Sequence, residues 1–274
     1  MRELYDFPHR DSICRAFAFA AVQTWTDLRD YGELEEESIT DYRILQLKRM
    51  CPHEVRIIKF SKPREARTGA DWEWWFGAGK EWFGMRVQAK RLDIPKLQYS
   101  RLDHTIGKTG KLQVERLIAD ATERTLYPMY CFYNFWSEVN ANPPWRCGTF
   151  APQTELWGAT VADAVVIREK VAQKARKLDD IGPTMMPLMC LACCRGHART
   201  NRPTLPHRAR GIAFVLTGDT DLVPELVPQP PWYVAHALNQ QTSNLPTGVL
   251  NLDGILVVEE NPNGYEGEAE RIRR

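Results

Sequence analysis

The sequence predicts an α/β fold in which a mixed sheet packs against helices. The first observation is the order of patterns between Glu36 and Phe135, which runs helix, strand, strand, strand, helix, strand. The second is a Gly-rich break, Gly77-Ala78-Gly79-Lys80, between two aromatic segments, which is typical of a β-hairpin. A sheet covered by helices buries the apolar sides of all these elements.

Two helices are predicted before the first strand. Apolar residues at helical spacing indicate an amphipathic helix over residues 12–30, which Ser12 opens. An acidic run, Glu33 to Glu37, follows it, and Ser38 or Thr40 is the expected N-cap of a second helix ending near Met50. The simplest interpretation of the acidic run is that it complements the dipole of this helix.

The remaining elements follow from segments with strand or helix patterns separated by polar loops. Up to residue 140 we expect strands at 54–60, 70–76, 82–90 and 127–135, and a helix at 110–125. Beyond it we expect helices at 159–178 and 232–241 and strands at 211–217 and 250–259. We therefore divide the chain into an N-terminal helical segment (1–32), a core (33–140), and a C-terminal region (141–274) that packs on the core or forms a small lobe.

Composition bounds the class of protein. The 274 residues carry a formal net charge of +1, so no global basic field attracts nucleic acid and any such binding needs a local patch. Seven cysteines, an odd number without framework spacing, favour reduced thiols in an intracellular protein. No run approaches the roughly 18 apolar residues of a membrane span, and the N-terminus does not resemble a secretory signal. We expect a cytoplasmic protein.

The predicted hairpin gathers groups that suit phosphodiester chemistry. Residues two apart on a strand face the same side, so Asp71, Gln88 and Lys90 converge if the faces of the two strands match. The Asp71 carboxylate is a hard oxygen ligand for Mg²⁺ or Mn²⁺, and the Gln88 side-chain oxygen can supply a second, neutral ligand. Lys90 can steady the attacking water and the charge that develops on the phosphate.

Acidic neighbours could complete this site. Either Glu36 or Glu37, from the preceding helix, could join the ligand set, and the sequence does not decide between them. Glu73 shares a strand face with Asp71. We expect its carboxylate either to contact the metal ligands without binding the metal itself or to pair with Arg86.

The element order, with Asp71 on one strand and Val87-Gln88-Ala89-Lys90-Arg91 on the next, resembles the PD-(D/E)xK nuclease superfamily. Within it, the chain is most similar to the Mrr-type restriction endonucleases, whose strand motif takes the form Gln-x-Lys. The resemblance covers residues 33–135 and implies a restriction-endonuclease-like core with magnesium or manganese as cofactor. Two departures weaken it: Ala70 stands where the superfamily has proline, and Gln88 replaces its second acid, so the site should hold Mg²⁺ more weakly.

The resemblance implies a Mg²⁺-dependent endonuclease that acts on DNA rather than RNA, works as a homodimer, and serves in defence against foreign DNA. The alternative is a catalytically inactive nuclease-like fold that binds nucleic acid or protein, which the neutral Gln88 and the tryptophan-rich strand motivate. Four phrases also look like an uncharacterised bacterial family without an assigned activity: EESITD (36–41), ARTGADWEWW (66–75), RVQAKRL (86–92) and YPMYCFYN (127–134).

Basic and aromatic side chains could bind a nucleic acid near such a site. Six arginines are candidates for phosphate contacts, although most of them could equally belong to a solvated loop: Arg91, Arg195, Arg199, Arg202, Arg208 and Arg210. Four tryptophans could stack on bases, but we expect them in the core between sheet and helix: Trp72, Trp74, Trp75 and Trp82.

The segment Cys190-x-x-Cys193-Cys194-x-x-His197, with Cys147 upstream, has spacing that a zinc ion could use. A second Cys-x-x-Cys half is missing and the flanking residues are core-like, so buried thiols are the simpler interpretation and zinc is not expected. A zinc-stabilised regulatory protein is the third hypothesis.

Overall fold

The computed structural model describes residues 12–32, 34–60, 69–106, 110–137, 143–239 and 245–260. Its helices are α1 Ser12–Tyr31, α2 Glu36–Met50, α3 Gln113–Glu123, α4 Ala164–Ala172, α5 Leu178–Ile181, α6 Cys190–Cys193, α7 Leu205–Thr217, α8 Trp232–Leu238 and α9 Thr247–Leu250. Its strands are β1 Val55–Lys59, β2 Trp72–Ala78, β3 Glu81–Arg91, β4 Thr105–Ile106, β5 Lys111–Leu112, β6 Tyr127–Tyr133, β7 Ala159–Asp163, β8 Met186–Pro187 and β9 Gly254–Glu259.

Seven of the strands form one mixed sheet in the order β1-β9-β2-β3-β6-β7-β8. β2 and β3 form the predicted antiparallel hairpin, and β3 then pairs with β6 in parallel. Helices cover the sheet on both faces, and the core elements follow the predicted order α2, β1, β2, β3, α3, β6. The predicted α/β class is therefore confirmed.

The C-terminal region completes this sheet. β9 lies between β1 and β2, antiparallel to the first and parallel to the second, while β7 and β8 extend the sheet beyond β6. The sequence Gly254-Ile-Leu-Val-Val-Glu259 suits the position, because a strand inside a helix-covered sheet is buried on both faces. The sheet thus extends well beyond residues 33–140.

Three predicted element boundaries are corrected. α2 begins at Glu36, and Thr40, proposed as a cap, lies inside the helix with its hydroxyl donating to the carbonyl of Glu36. The expected helix at 159–178 divides into β7 and α4, because the Asp163 carboxylate accepts the Val166 amide and caps α4 there. The expected strand at 211–217 is the second half of α7, where apolar residues at helical spacing are buried.

The two faces of the sheet bury different partners. On one face, α1, α6 and α7 pack over alternate residues of β2 and β3, including Trp74 and Met85. The other face carries Glu73, Arg86 and Gln88 and contacts α3. All four tryptophans of the hairpin are buried, which confirms their assignment to the core: Trp72, Trp74, Trp75 and Trp82.

A disulfide between Cys14 and Cys193 joins α1 to α6. The expectation that every cysteine is a reduced thiol is therefore wrong for this pair. Their sequence separation of 179 residues explains why spacing gave no sign of the bond. Among the described helices, none combines the length and apolar character that crossing a bilayer requires.

Candidate functional site

Asp71 and Gln88 are in direct contact at the open end of the β2–β3 hairpin. The register pairs Trp72 with Val87, which places the two side chains next to each other on the α3 face. The Gln88 amide nitrogen donates to Asp71 Oδ2 at 2.6 Å, and the backbone N–H of Ala89 donates to the same oxygen at 2.9 Å. The structure thus brings together two of the predicted site residues.

Gln113, the first residue of α3, forms a hydrogen bond with the Gln88 side chain. Its Nε2 donates to Gln88 Oε1 at 2.7 Å, while its own Oε1 is buried and has no hydrogen-bond partner among the described residues. Sequence reasoning missed Gln113, because only the packing of α3 on β3 brings it to the site.

Lys90 and Glu36 form the next part of the site. Lys90 is only 6% exposed, and its Nζ lies 3.9 Å from Glu36 Oε1. Glu36 Oε2 accepts the backbone N–H of Arg91 at 3.0 Å, which fixes the N-terminus of α2 against the end of β3. Of the two acids left open by the sequence, Glu36 makes these contacts, whereas Glu37 is exposed at the edge of the neighbouring pocket.

The site is short of positive charge. Burial, and then the charge of Glu36, raise the pKa of Asp71 to about 7, although Lys90 and the N–H of Ala89 oppose the shift. Burial also raises the pKa of Glu36, against the opposing effect of Lys90. Lys90 thus opposes the pKa shifts of both carboxylates, Arg91 and Arg101 add to its effect at Glu36, and a further cation would lower both pKa values.

Tyr130 and Asp253 also belong to this neighbourhood. Tyr130 stands next to Gln88 in the β3–β6 register, and its buried hydroxyl has no hydrogen-bond partner among the described residues. Burial, then the charges of Asp71 and Glu36, raise the Tyr130 pKa. The N–H of Asp253 donates to the Asp71 carbonyl at 2.7 Å, and the charge of Asp253 adds to the pKa shift of Asp71.

A pocket of about 550 Å³ opens beside the site. Its lining residues are Glu35, Glu36, Glu37, Ser38, Lys90, Arg91, Asp93, Ser100 and Arg101. Lys90 and Glu36 belong both to the site and to this lining, whereas Asp71 and Gln88 do not line the pocket. The lining mixes acidic with basic groups, so the pocket is not a purely cationic cradle.

The structure separates the six candidate arginines. Arg91 lines the pocket, and its Nη1 donates to the Gly32 carbonyl at 2.8 Å. Arg208 is 1% exposed and pairs with Glu260 at 2.8 Å, so the prediction that it contacts nucleic acid is corrected. Arg210, also on α7, forms an ion pair with Glu225.

The remaining three arginines, Arg195, Arg199 and Arg202, are exposed in the segment between α6 and α7. Because α6 and α7 pack on the face of the sheet opposite Gln88, this arginine-rich segment and the Asp71 site are on different sides of the sheet.

Glu73 has a different environment from Asp71. It is fully buried and forms an ion pair with Arg86 at 3.2 Å, as one of the two interpretations from the sequence predicts. Trp75 Nε1 and the Tyr233 hydroxyl both donate to its Oε1. These contacts pair Glu73 within the protein and give it a structural role.

Comparison with known proteins identifies a family whose function is unknown. Residues 13–263 match the family model described as "Family of unknown function (DUF6615)". No curated protein and no solved structure matches the chain.

Proposed function

The chain belongs to DUF6615, a family of unknown function, and we propose that it is a metal-dependent nuclease of the PD-(D/E)xK type. The observation that carries the proposal is the cluster of Asp71, Gln88, Lys90 and Glu36 at the open end of one hairpin. These groups lie on two adjacent strands and the preceding helix, as the resemblance to that superfamily implies.

The donor set fits a hard divalent cation. Asp71 supplies a carboxylate whose pKa is raised to about 7, so a cation there displaces a proton that the folded protein holds weakly at neutral pH. Gln88 now turns its amide nitrogen to Asp71. If the amides of Gln88 and Gln113 both rotate by half a turn, Gln88 Oε1 faces Asp71 and the unpartnered Gln113 Oε1 gains a donor.

When bound, Mg²⁺ or Mn²⁺ would lower the pKa of a coordinated water and polarise a phosphoryl oxygen. Asp71 and Gln88 would hold the cation. Lys90 lines the pocket beside Glu36, so its ammonium group can donate to a phosphate oxygen as negative charge develops there. Glu36 orients Lys90 and keeps its charge at the mouth of the site.

The substrate class follows from the same resemblance. We propose DNA rather than RNA, a cytoplasmic location, and a role in defence against foreign DNA. Cutting both strands of a duplex requires two active sites, which two copies of the chain would supply. The Cys14–Cys193 bond is unusual for a cytoplasmic protein, because that compartment keeps most thiols reduced.

The test is cleavage of plasmid DNA and of single-stranded RNA with Mg²⁺ or Mn²⁺, comparing wild type with Lys90→Ala. We expect wild type to cleave and Lys90→Ala to lose about 10²–10³ in rate, because it lacks the charge that meets the phosphate. Lys48→Ala is the matched control, since Lys48 is partly exposed in the last turn of α2, where its ammonium group donates to the Pro52 carbonyl.

Absence of cleavage by folded wild type with both metals would contradict the proposal. It would favour the second candidate function, a nuclease-like fold that binds nucleic acid or protein. The observation that favours this candidate is that neutral Gln88 is 1% exposed and lies outside the pocket lining. Calorimetric titration with Mn²⁺ separates the two, because only a metal site should bind the ion and lose it in Asp71→Ala.

A further inference from the structure

Three cysteine sulfurs meet in the core on the side of the sheet away from Asp71. Cys190 and Cys194 lie at the two ends of α6, and Cys147 approaches them from the segment before β7. The three sulfur atoms all lie within 4.8 Å of one another, and Cys147 and Cys194 are 3.3 Å apart. All three residues are buried.

These separations match a single tetrahedral ion. With Zn–S bonds of about 2.3 Å, two ligand sulfurs in a tetrahedron stand roughly 3.8 Å apart. The sulfur–sulfur distances therefore need to change by about 1 Å at most for the three thiolates to surround a zinc ion. Three neutral thiols in an apolar core would have no comparable reason to converge, because each is only a weak hydrogen-bond donor.

His197 is the candidate for the fourth ligand; its ring nitrogens lie outside the group of three sulfurs that are within 4.8 Å of one another, so its side chain would move towards them on binding. It follows Cys194 by three residues, and its ring Nε2 is buried without a hydrogen-bond partner among the described residues. This nitrogen would lie 3.7 Å from a Cβ atom added to Gly148, the residue next to Cys147. The backbone of His197 packs closely against α7 at Gly211, where a Cβ atom would come within 2.7 Å of it.

We propose that Cys147, Cys190, Cys194 and His197 bind a structural zinc ion. Its ligands would be three thiolates and one imidazole, a combination found in closed structural zinc sites. Binding would release the thiol protons and replace a buried polar nitrogen without a partner by a coordinated one. The site is independent of the proposed nuclease centre and revises the expectation of simple buried thiols.

The zinc ion would join three segments of the chain to one another. It would join the end of α6 to the segment carrying Cys147 and to the start of the arginine-rich segment that carries His197. The Cys14–Cys193 disulfide ties the same helix to α1, so α6 would be fixed on two sides. The exposed Arg195, Arg199 and Arg202 would then project from an anchored segment.

The experiment measures metal in full-length protein purified without a metal-affinity tag. We expect about one zinc ion per chain by elemental analysis of wild type. Cobalt exchanged into wild type should give intense visible absorption and a thiolate-to-cobalt charge-transfer band. Cys190→Ser should lose most of the zinc, and His197→Ala should retain thiolate binding with a changed cobalt spectrum and at least about tenfold weaker affinity.

Cys131→Ser is the matched control, because Cys131 is a buried thiol on β6 that does not belong to the cluster. It should keep the wild-type zinc content. Folded wild type that contains no zinc and takes up no cobalt would overturn the proposal. So would a Cys147–Cys194 disulfide found by mass spectrometry in freshly purified protein, and both results are obtained on wild type even if Cys190→Ser fails to fold.

Discussion

Asp71, just before β2, and Glu73, within it, lie on the same face of the sheet. The partners of their two carboxylates differ. Glu73 meets Arg86 and accepts hydrogen bonds from Trp75 and Tyr233. Asp71 has no arginine partner in the described structure. It accepts from a neutral amide and one backbone N–H, and its pKa rises to about 7.

The difference separates an acid paired within the protein from one that has room for the proposed cation. A buried carboxylate must be compensated by charge or by hydrogen bonds. Glu73 has a buried guanidinium of its own and two hydrogen bonds, whereas at Asp71 the nearby Lys90 is shared with Glu36. Partial compensation at one of two neighbouring acids is the contrast on which the proposed metal site at Asp71 rests.

The largest effect is expected at the structural acid. Arg86→Met should lower the free energy of unfolding by about 3–5 kcal/mol, because it leaves Glu73 and Asp120 without the buried charge that both contact. Urea denaturation measures this loss. Arg124→Met is the control: Arg124 pairs with Asp120 from a part-exposed position, and its loss should cost about 1 kcal/mol or less. Equal losses in the two variants would mean that Glu73 is satisfied without Arg86.

The next prediction concerns the pH dependence of stability at Asp71. Its pKa is raised from 3.8 to about 7 in the folded protein. Between these values the unfolded chain releases a proton that the folded protein keeps, so stability falls as the pH rises through this window and is level above it. Asp71→Asn should remove the fall.

We therefore expect Asp71→Asn to match wild type near pH 4 and to exceed its stability above pH 7, by on the order of 1 kcal/mol because Asp71 is only half-buried. Denaturant titrations across this range measure the difference. Added Mg²⁺ should stabilise wild type above pH 7 and leave Asp71→Asn unchanged. Parallel stability curves for the two proteins would show that Asp71 carries no unfavourable charge.

The hairpin with Asp71, Gln88 and Lys90 could be predicted from the sequence because its determinants are local. Strand alternation fixes the face of each side chain, and Gly79 in the turn has a positive φ of 58° that suits glycine. The sequence predicts a strand at 211–217, the second half of α7, because its β-branched and apolar residues suit either structure. Only the burial pattern from Leu205 onward distinguishes the helix.

The rest of the site depends on pairings between distant segments. Tyr130 reaches Gln88 through the parallel register of β3 and β6. Asp253 reaches Asp71 because β9 inserts beside β2, a pairing across some 180 residues that no local pattern specifies. The buried pairing of Arg208 with Glu260 is likewise set by the tertiary fold. An exposed arginine and a buried one look alike in the sequence.

The sharpest test of the comparison is the variant Gln88→Glu. This change gives the Asp71 site the second acid that it lacks, while Gln113 Nε2 can still donate to the new carboxylate. Metal affinity rises with the number of charged ligands, so calorimetry should show Mn²⁺ binding about tenfold more tightly than in wild type. Gln173→Glu, which adds the same charge at an exposed position after α4, should leave the affinity unchanged. If both variants bind Mn²⁺ like wild type, Gln88 is not a ligand, and the difference between Asp71 and Glu73 must come from Lys90 and Glu36 alone.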